Sequence, residues 1–220
     1  MSYLLRLVLP DRPGVLGAVA TALGGVGADI LSVDVIERSP GFAVDDLVVE
    51  LPTDKLADSL VTAAATIAGV TVESIRPYAG QIDPHRELEL LEKLAAQPAD
   101  TFPLLAEGAA RIFRAGWALV LGRPVDGISD VSAASAAAPE LSTLPAPWWP
   151  AVPARTLDVE QAWVPRDWAA VGTELAVTPL GGRALLLGRP ALRWLPGELI
   201  RLNHLAGIAA SVRTAAGLPD

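Results

Sequence analysis

The residues best suited to chemistry lie in one short segment near the start of the chain, Asp11-Arg12-Pro13-Gly14-Val15-Leu16. Pro13 and Gly14 end the apolar run before them, and Val15, Leu16, Val19, Leu23 and Val26 then recur at helical spacing, which predicts a tight loop opening a helix. The first turn of such a helix carries unpaired backbone N–H groups and the positive end of the helix dipole, a combination that holds a carboxylate. Gly14 lets a ligand approach the backbone closely, and the Asp11 carboxylate can accept a hydrogen bond from a ligand ammonium. The same residues also read as an ordinary helix start, with Asp11 capping, Pro13 in the first turn and Gly14 relieving crowding. Both readings stand on these residues alone.

Candidates for catalysis are sparse. The 220 residues include two histidines, His85 and His204, and no cysteine. Neither histidine is near a serine in a strand-turn-helix setting, and two histidines with scattered carboxylates do not compose a metal site. The Gly24-Gly25-Val26-Gly27 cluster ends a helix instead of opening one after a strand, so it lacks the setting of a phosphate cradle. The expectation is a protein that is not an enzyme and uses no cofactor or metal.

A net charge of −8 and a pI near 4.8 argue against nucleic acid as a partner, since a phosphate-binding surface must be basic. No window approaches the 18 or so consecutive apolar residues of a membrane span. The N-terminus breaks at Pro10 and Pro13 and lacks the layout of a signal peptide. A cysteine-free chain without a span or leader fits a cytoplasmic location.

The elements that must position the Asp11–Leu16 segment follow from periodicity. Residues 3–9 alternate as a strand, and the helix from Val15 stops at the glycine cluster. Residues 29–37 form a β-branched run, and Gly41 turns the chain into a second run from Val44 to Leu51, giving a hairpin. Pro52-Thr53-Asp54 offers a helix start, Leu56, Leu60, Ala64 and Ile67 make its apolar stripe, and Gly69 ends it before a strand over Val70–Ile75. The order βαββαβ implies a four-stranded antiparallel sheet with both helices on one face, a ferredoxin-like sandwich. Arg6, Asp34 and Asp46 fall at strand positions suited to a more polar opposite face.

The stretch LVLPDRPGVLGAVATALGGVGADILSVDV, residues 7–35, resembles the opening of an ACT domain, and the resemblance covers about residues 1–80. It implies a regulatory module that pairs side by side with a second copy and binds an amino acid or similar small molecule where the first loop meets the second strand of its neighbour. Carried over residue by residue, the implied site comprises Asp11, Arg12, Pro13, Gly14, Val15 and Leu16 facing Asp29, Ile30 and Leu31. Asp29 stands where many ACT ligand sites carry Asn, which adds a negative charge.

Residues 81–99 read as a connector that is partly helical over Leu88–Ala99, and 100–220 as a second domain. There, Phe102, Leu105, Ala109, Ile112 and Phe113 predict a helix feeding a strand at Trp117–Leu121, with a polar turn region at Arg123–Asp130. Residues 139–153 hold too many prolines for a regular element. Leu175–Thr178 and Ala184–Leu187 predict a hairpin, and a last helix after Pro196-Gly197 carries Leu199, Leu202, Leu205, Ala209 and Val212 on one stripe. The AGWALVL and ELAVTPLGGRALLLGRP segments with the PGELIRLNHLAGIAASV helix resemble a GAF domain, which implies a six-stranded antiparallel sheet flanked by helices. The fold class is therefore α+β, an ACT-like domain followed by a GAF-like one.

All six tryptophans lie beyond residue 100. Trp148, Trp149, Trp163, Trp168 and Trp194 either line a pocket under the proline-rich loop or fill a core. The functional expectation is a small-molecule sensor, for an amino acid in the first instance, that acts as a homodimer and signals to a protein effector. The alternative is an adaptor that dimerises without a small ligand.

Overall fold

A computed structural model describes residues 1–78 and 86–219 and divides the chain into two compact units, Met1–Ile82 and Asp83–Asp220. His85 lies outside the described residues.

In the first unit the elements run β1 (Ser2–Pro10), α1 (Val15–Gly25), β2 (Asp29–Ser39), β3 (Phe42–Glu50), α2 (Asp58–Ala65) and β4 (Thr71–Pro77). The strands are antiparallel in the order β2-β3-β1-β4, the ferredoxin-like arrangement. One face of the sheet carries both helices, because Leu5, Leu7, Leu9, Ala43, Leu47 and Val49 alternate inward and pack with Val15, Val19 and Leu23 of α1 and Leu60, Ala63 and Ala64 of α2. The glycine cluster stops α1 through a Schellman motif: Gly27 is left-handed at φ 85°, its N–H donates to Gly24 O, and the Ala28 N–H reaches back to Leu23 O.

Two local expectations are corrected. Helix α2 begins at Asp58, and Leu56 is 78% exposed, so it does not belong to the apolar stripe. Arg6 and Asp46 are fully buried and do not line a solvated face. They sit opposite each other in the β1–β3 register, and Arg6 Nε and Nη2 donate to the two Asp46 carboxylate oxygens at 2.7 and 2.8 Å. Such a two-pronged pair neutralises both charges and satisfies the fork, which is what allows them to leave water.

The second unit begins with α3 (Arg86–Ala96), a single 3-10 turn at Pro98–Asp100 and α4 (Thr101–Ile112). The chain continues through β5 (Trp117–Leu121), β6 (Ile128–Ala134), β7 (Thr143–Pro145) and β8 (Arg155–Leu157). It closes with α5 (Arg166–Ala170), β9 (Thr173–Leu180), β10 (Arg183–Pro190) and α6 (Pro196–Ala215). Six antiparallel strands form one sheet in the order β7-β6-β5-β10-β9-β8, with helices packed on it, as the GAF resemblance implies. The polar run ahead of residue 130 turns into β6 at Ile128, an element its polarity concealed. The proline-rich stretch 139–153, expected to hold no regular element, contributes β7, whose Pro145 is tolerated because β7 is a sheet edge, where a missing N–H costs least; β8, just after the stretch, forms the other edge.

On one side of this sheet α3, α4 and α6 contribute Leu90, Leu94, Leu105, Ala109, Leu202 and Leu205 to a core that also contains Trp194. On the other side Trp148 and Trp168 are buried against Leu119, Leu121, Val177 and Leu186, with Trp117, Trp149 and Trp163 packed around them. Ring centroids 4.5 Å apart for Trp117 and Trp168, and 6.2 Å for Trp148 and Trp163, mark direct contact. The indoles therefore fill a core beneath the proline-rich chain.

Candidate ligand site

The loop between β1 and α1 is held at both ends by backbone. The Asp11 N–H donates to Gly41 O at 3.2 Å, tying the loop to the β2–β3 turn, and the Arg12 N–H donates to Pro10 O at 2.9 Å. Gly14 is the N-cap of α1 and lies in the left-handed region at φ 91°, a conformation in which other L-residues are strained. A Cβ added there would meet nothing within 4 Å, so the space in front of the loop is open.

The helix start is not capped by a side chain, and its first turn contains no acidic residue. The Val15 N–H makes a long bond of 3.4 Å to Arg12 O, and the Ala18 N–H is the first with a regular helical partner, Gly14 O at 2.9 Å. The Leu16 and Gly17 amides between them have no acceptor among the described residues. Two adjacent N–H groups at the positive end of a helix suit an anionic oxygen.

Asp11 does not cap α1. Its carboxylate accepts a 2.8 Å hydrogen bond from Arg38 Nε on β2, and that bond holds the Asp11 carboxyl below its ordinary value. The same residue is thereby engaged before any ligand ammonium arrives. Arg12 and Pro13 are exposed beside it, while Val15 is buried and Leu16 packs on the core margin.

The second half of the predicted site is elsewhere. Asp29, Ile30 and Leu31 open β2 and pair with the far end of β3, Asp29 opposite Glu50, whereas the Asp11–Leu16 loop lies against the near end at Gly41 and Phe42. Eight strand residues separate the two ends, about 26 Å at ~3.3 Å each. Within one copy the two groups do not meet. Strand β2 is an edge of its sheet, 11 residues long, and its apolar Leu31, Val33 and Val35 are exposed.

Asp45 was not anticipated as a functional residue. On β3 it shares the parity of Ala43, Leu47 and Val49, and that parity is the signal that turns it toward the helices. It is 3% exposed, and its Oδ1 has no hydrogen-bond partner. Burial, followed by the nearby charges of Asp46 and Asp11, raises its carboxyl above the ordinary value.

In the second unit an open cleft of about 400 Å³ lies at the β8 edge, lined by Thr156, Asp158, Glu174, Arg193 and Trp194 among others. His204 is exposed on α6. Among the described residues no three His, Cys, Asp or Glu side chains gather as metal ligands, and no helix is long and apolar enough to cross a membrane.

The family model for the ACT domain matches residues 3–69. The first unit contains an ACT domain. ACT domains are typically regulatory and ligand-sensing modules. No curated protein matches the chain. Among solved structures, the chain is similar to an uncharacterised protein from Thermotoga maritima, at 26% identity over 34% of this chain and 94% of that one, with a TM-score of 0.28. It is also similar to the GAF domain of a phosphoenolpyruvate-protein phosphotransferase from Acinetobacter, at 10% identity over 62% of this chain and 96% of that one, TM-score 0.44. A third is the regulatory subunit of aspartate kinase from Thermus thermophilus, at 13% identity over 94% and 91% of the respective chains, TM-score 0.29.

Proposed function

We infer that this chain is a non-catalytic, cytoplasmic regulatory protein whose ACT domain binds an amino acid or similar small molecule in a homodimer and passes the liganded state to a protein effector. The observation that carries the reading is the uncapped start of α1, where left-handed Gly14 has open space around its Cβ position and the Leu16 and Gly17 amides have no acceptor among the described residues. The Asp11–Leu16 loop of one copy and the Asp29, Ile30 and Leu31 segment of the other compose the site. Pairing of two β2 edges supports this arrangement, since it covers an exposed apolar strand and brings together halves that one copy holds about 26 Å apart.

The test is a thermal-shift screen of the full chain against the twenty amino acids at millimolar concentration, repeated with Gly14→Asp. A ligand that binds only the folded state raises the melting temperature by mass action. In the variant the new carboxylate occupies the N-cap position and competes for the free amides. The expected result is a shift of several degrees with one or two amino acids, absent in the variant. No shift with any amino acid refutes amino-acid sensing and favours an adaptor that dimerises without one.

A further inference from the structure

Strand β8 stops short of the strand it borders. It pairs with β9 only over residues 175–177, whereas β9 begins two residues earlier, at Thr173. Beyond Leu157 the chain leaves the sheet, and the space beside Thr173 and Glu174 is the cleft of about 400 Å³ at the β8 edge. The register on the other side of β9 shows which way Thr173 turns its backbone. The Ala191 N–H donates to Gly172 O at 2.8 Å, which makes those two a hydrogen-bonded pair. Antiparallel pairs alternate, so at Thr173, opposite Pro190, the N–H and C=O point away from β10 and toward the open edge. Thr173 is 5% exposed, and no backbone group among the described residues pairs with its N–H or C=O. A missing rung of a sheet, nearly out of water, calls for an explanation.

The side chains around this rung are held in place. Thr156 pairs with Ala176, which faces the helix-side core, so Thr156 and Glu174 turn to the same side as Trp194. The Trp194 indole N–H donates to Glu174 O at 3.1 Å, and the Arg189 guanidinium lies 3.9 Å from its ring centre. Asp158 Oδ1 accepts the Glu160 N–H at 3.0 Å. Asp158 and Glu174 set two carboxylates against one guanidinium, that of Arg193, in the cleft lining. The Thr173 C=O and the two carboxylates are acceptors suited to an ammonium, and the Thr173 N–H beside them is a donor suited to a carboxylate. The N–H and C=O of one extended residue lie side by side, as do the ammonium and carboxylate of an α-amino acid. We propose that this cleft is a second amino-acid site, in which the ligand's carboxylate and ammonium replace the missing rung at Thr173 while Asp158 and Glu174 neutralise the ammonium. The site belongs wholly to the second unit and does not depend on the loop at the start of α1.

The test follows the indole N–H signals of the isotope-labelled, full-length protein by NMR while each of the twenty amino acids is added at millimolar concentration. The Trp194 signal, identified by its absence in Trp194→Phe, reports on this cleft because its partner is the Glu174 carbonyl. The expected result is saturable movement of that signal with one or more amino acids, unchanged by Gly14→Asp. Asp158→Asn combined with Glu174→Gln should weaken the binding at least about tenfold, the strength of a hydrogen bond between charged groups, while the remaining indole signals show that the variant is folded. The N-acetyl methylamide of the same amino acid, which keeps an amide pair but neither charge, should bind weaker by a similar factor. A Trp194 signal that no amino acid moves, or that moves equally in the double variant, overturns the site and leaves the ACT reading intact. Movement that disappears in Gly14→Asp belongs to the first unit and overturns the site as well. Equal or tighter binding of the methylamide overturns the free amino acid in favour of an extended peptide segment.

Discussion

Removal of the Arg189 guanidinium should unfold the second unit more readily than any surface change. Arg189 is fully buried: Nη1 and Nη2 donate to the Glu198 carboxylate at 2.8 and 2.6 Å, Nε donates to Leu192 O at 2.7 Å, and Nη1 donates to Phe113 O at 3.2 Å. Nη2 also donates to Arg193 O, and the guanidinium lies 3.9 Å from the centre of the Trp194 ring. Glu198 in turn accepts the Leu195 N–H at 2.9 Å, so the pair clamps the start of α6 to the end of β10 and to the turn after α4. Arg189→Ala leaves a buried carboxylate without its guanidinium and three carbonyls without their donor, a loss of about 3–5 kcal/mol. At a urea slope of about 2 kcal/mol per M, 4 kcal/mol lowers the midpoint by roughly 2 M. Tryptophan emission is the assay, because all six indoles belong to the second unit and none to the first. The double variant with Glu198→Gln should cost clearly less than the sum of the single changes, since the carboxylate that Arg189→Ala strands is then absent. A midpoint change worth under about 1 kcal/mol, or additivity within about 0.5 kcal/mol, refutes the clamp.

Two further outcomes follow from close packing and from burial. Gly188 pairs across the sheet with Trp117, and a Cβ on it would lie 2.2 Å from that indole, which is itself held in tilted contact with Trp168; Gly188→Ala should therefore cost about 1–3 kcal/mol in the same emission assay. Asp45 has a raised carboxyl value in the folded state, so the stability it permits is full below the ordinary value of 3.8 and is lost as pH rises through the folded one. Asp45→Asn should accordingly protect the β1 and β3 amides against hydrogen exchange more than the natural residue does at neutral pH. The difference should vanish in acid, and a difference that grows toward low pH contradicts this account.

Much of the fold was legible because its signals are local. The 3.6-residue recurrence of Val15, Val19 and Leu23, the glycine at the end of α1 and the uninterrupted apolar run of β5 each act within a few residues. The tight loop and helix start were foreseeable from Pro13 and Gly14 in the same way, whereas the sequence left open whether Asp11 caps that start, which its pairing with Arg38 decides. Strand β3 shows where such signals end: both its faces are buried, so FAVDDLVVE has no apolar-polar alternation to separate Asp45 from Asp46. Their fates differ because the β1 register sets Asp46 against Arg6 and Asp45 against Leu7, a pairing between residues about forty positions apart. Tertiary structure alone also decided that Leu56 is solvated, that the Pro145 strand is a sheet edge and that the indoles fill a core. It likewise set the two halves of the predicted site at opposite ends of one sheet, because strand length, which no motif encodes, fixes how far apart a loop and a neighbouring strand's start must be.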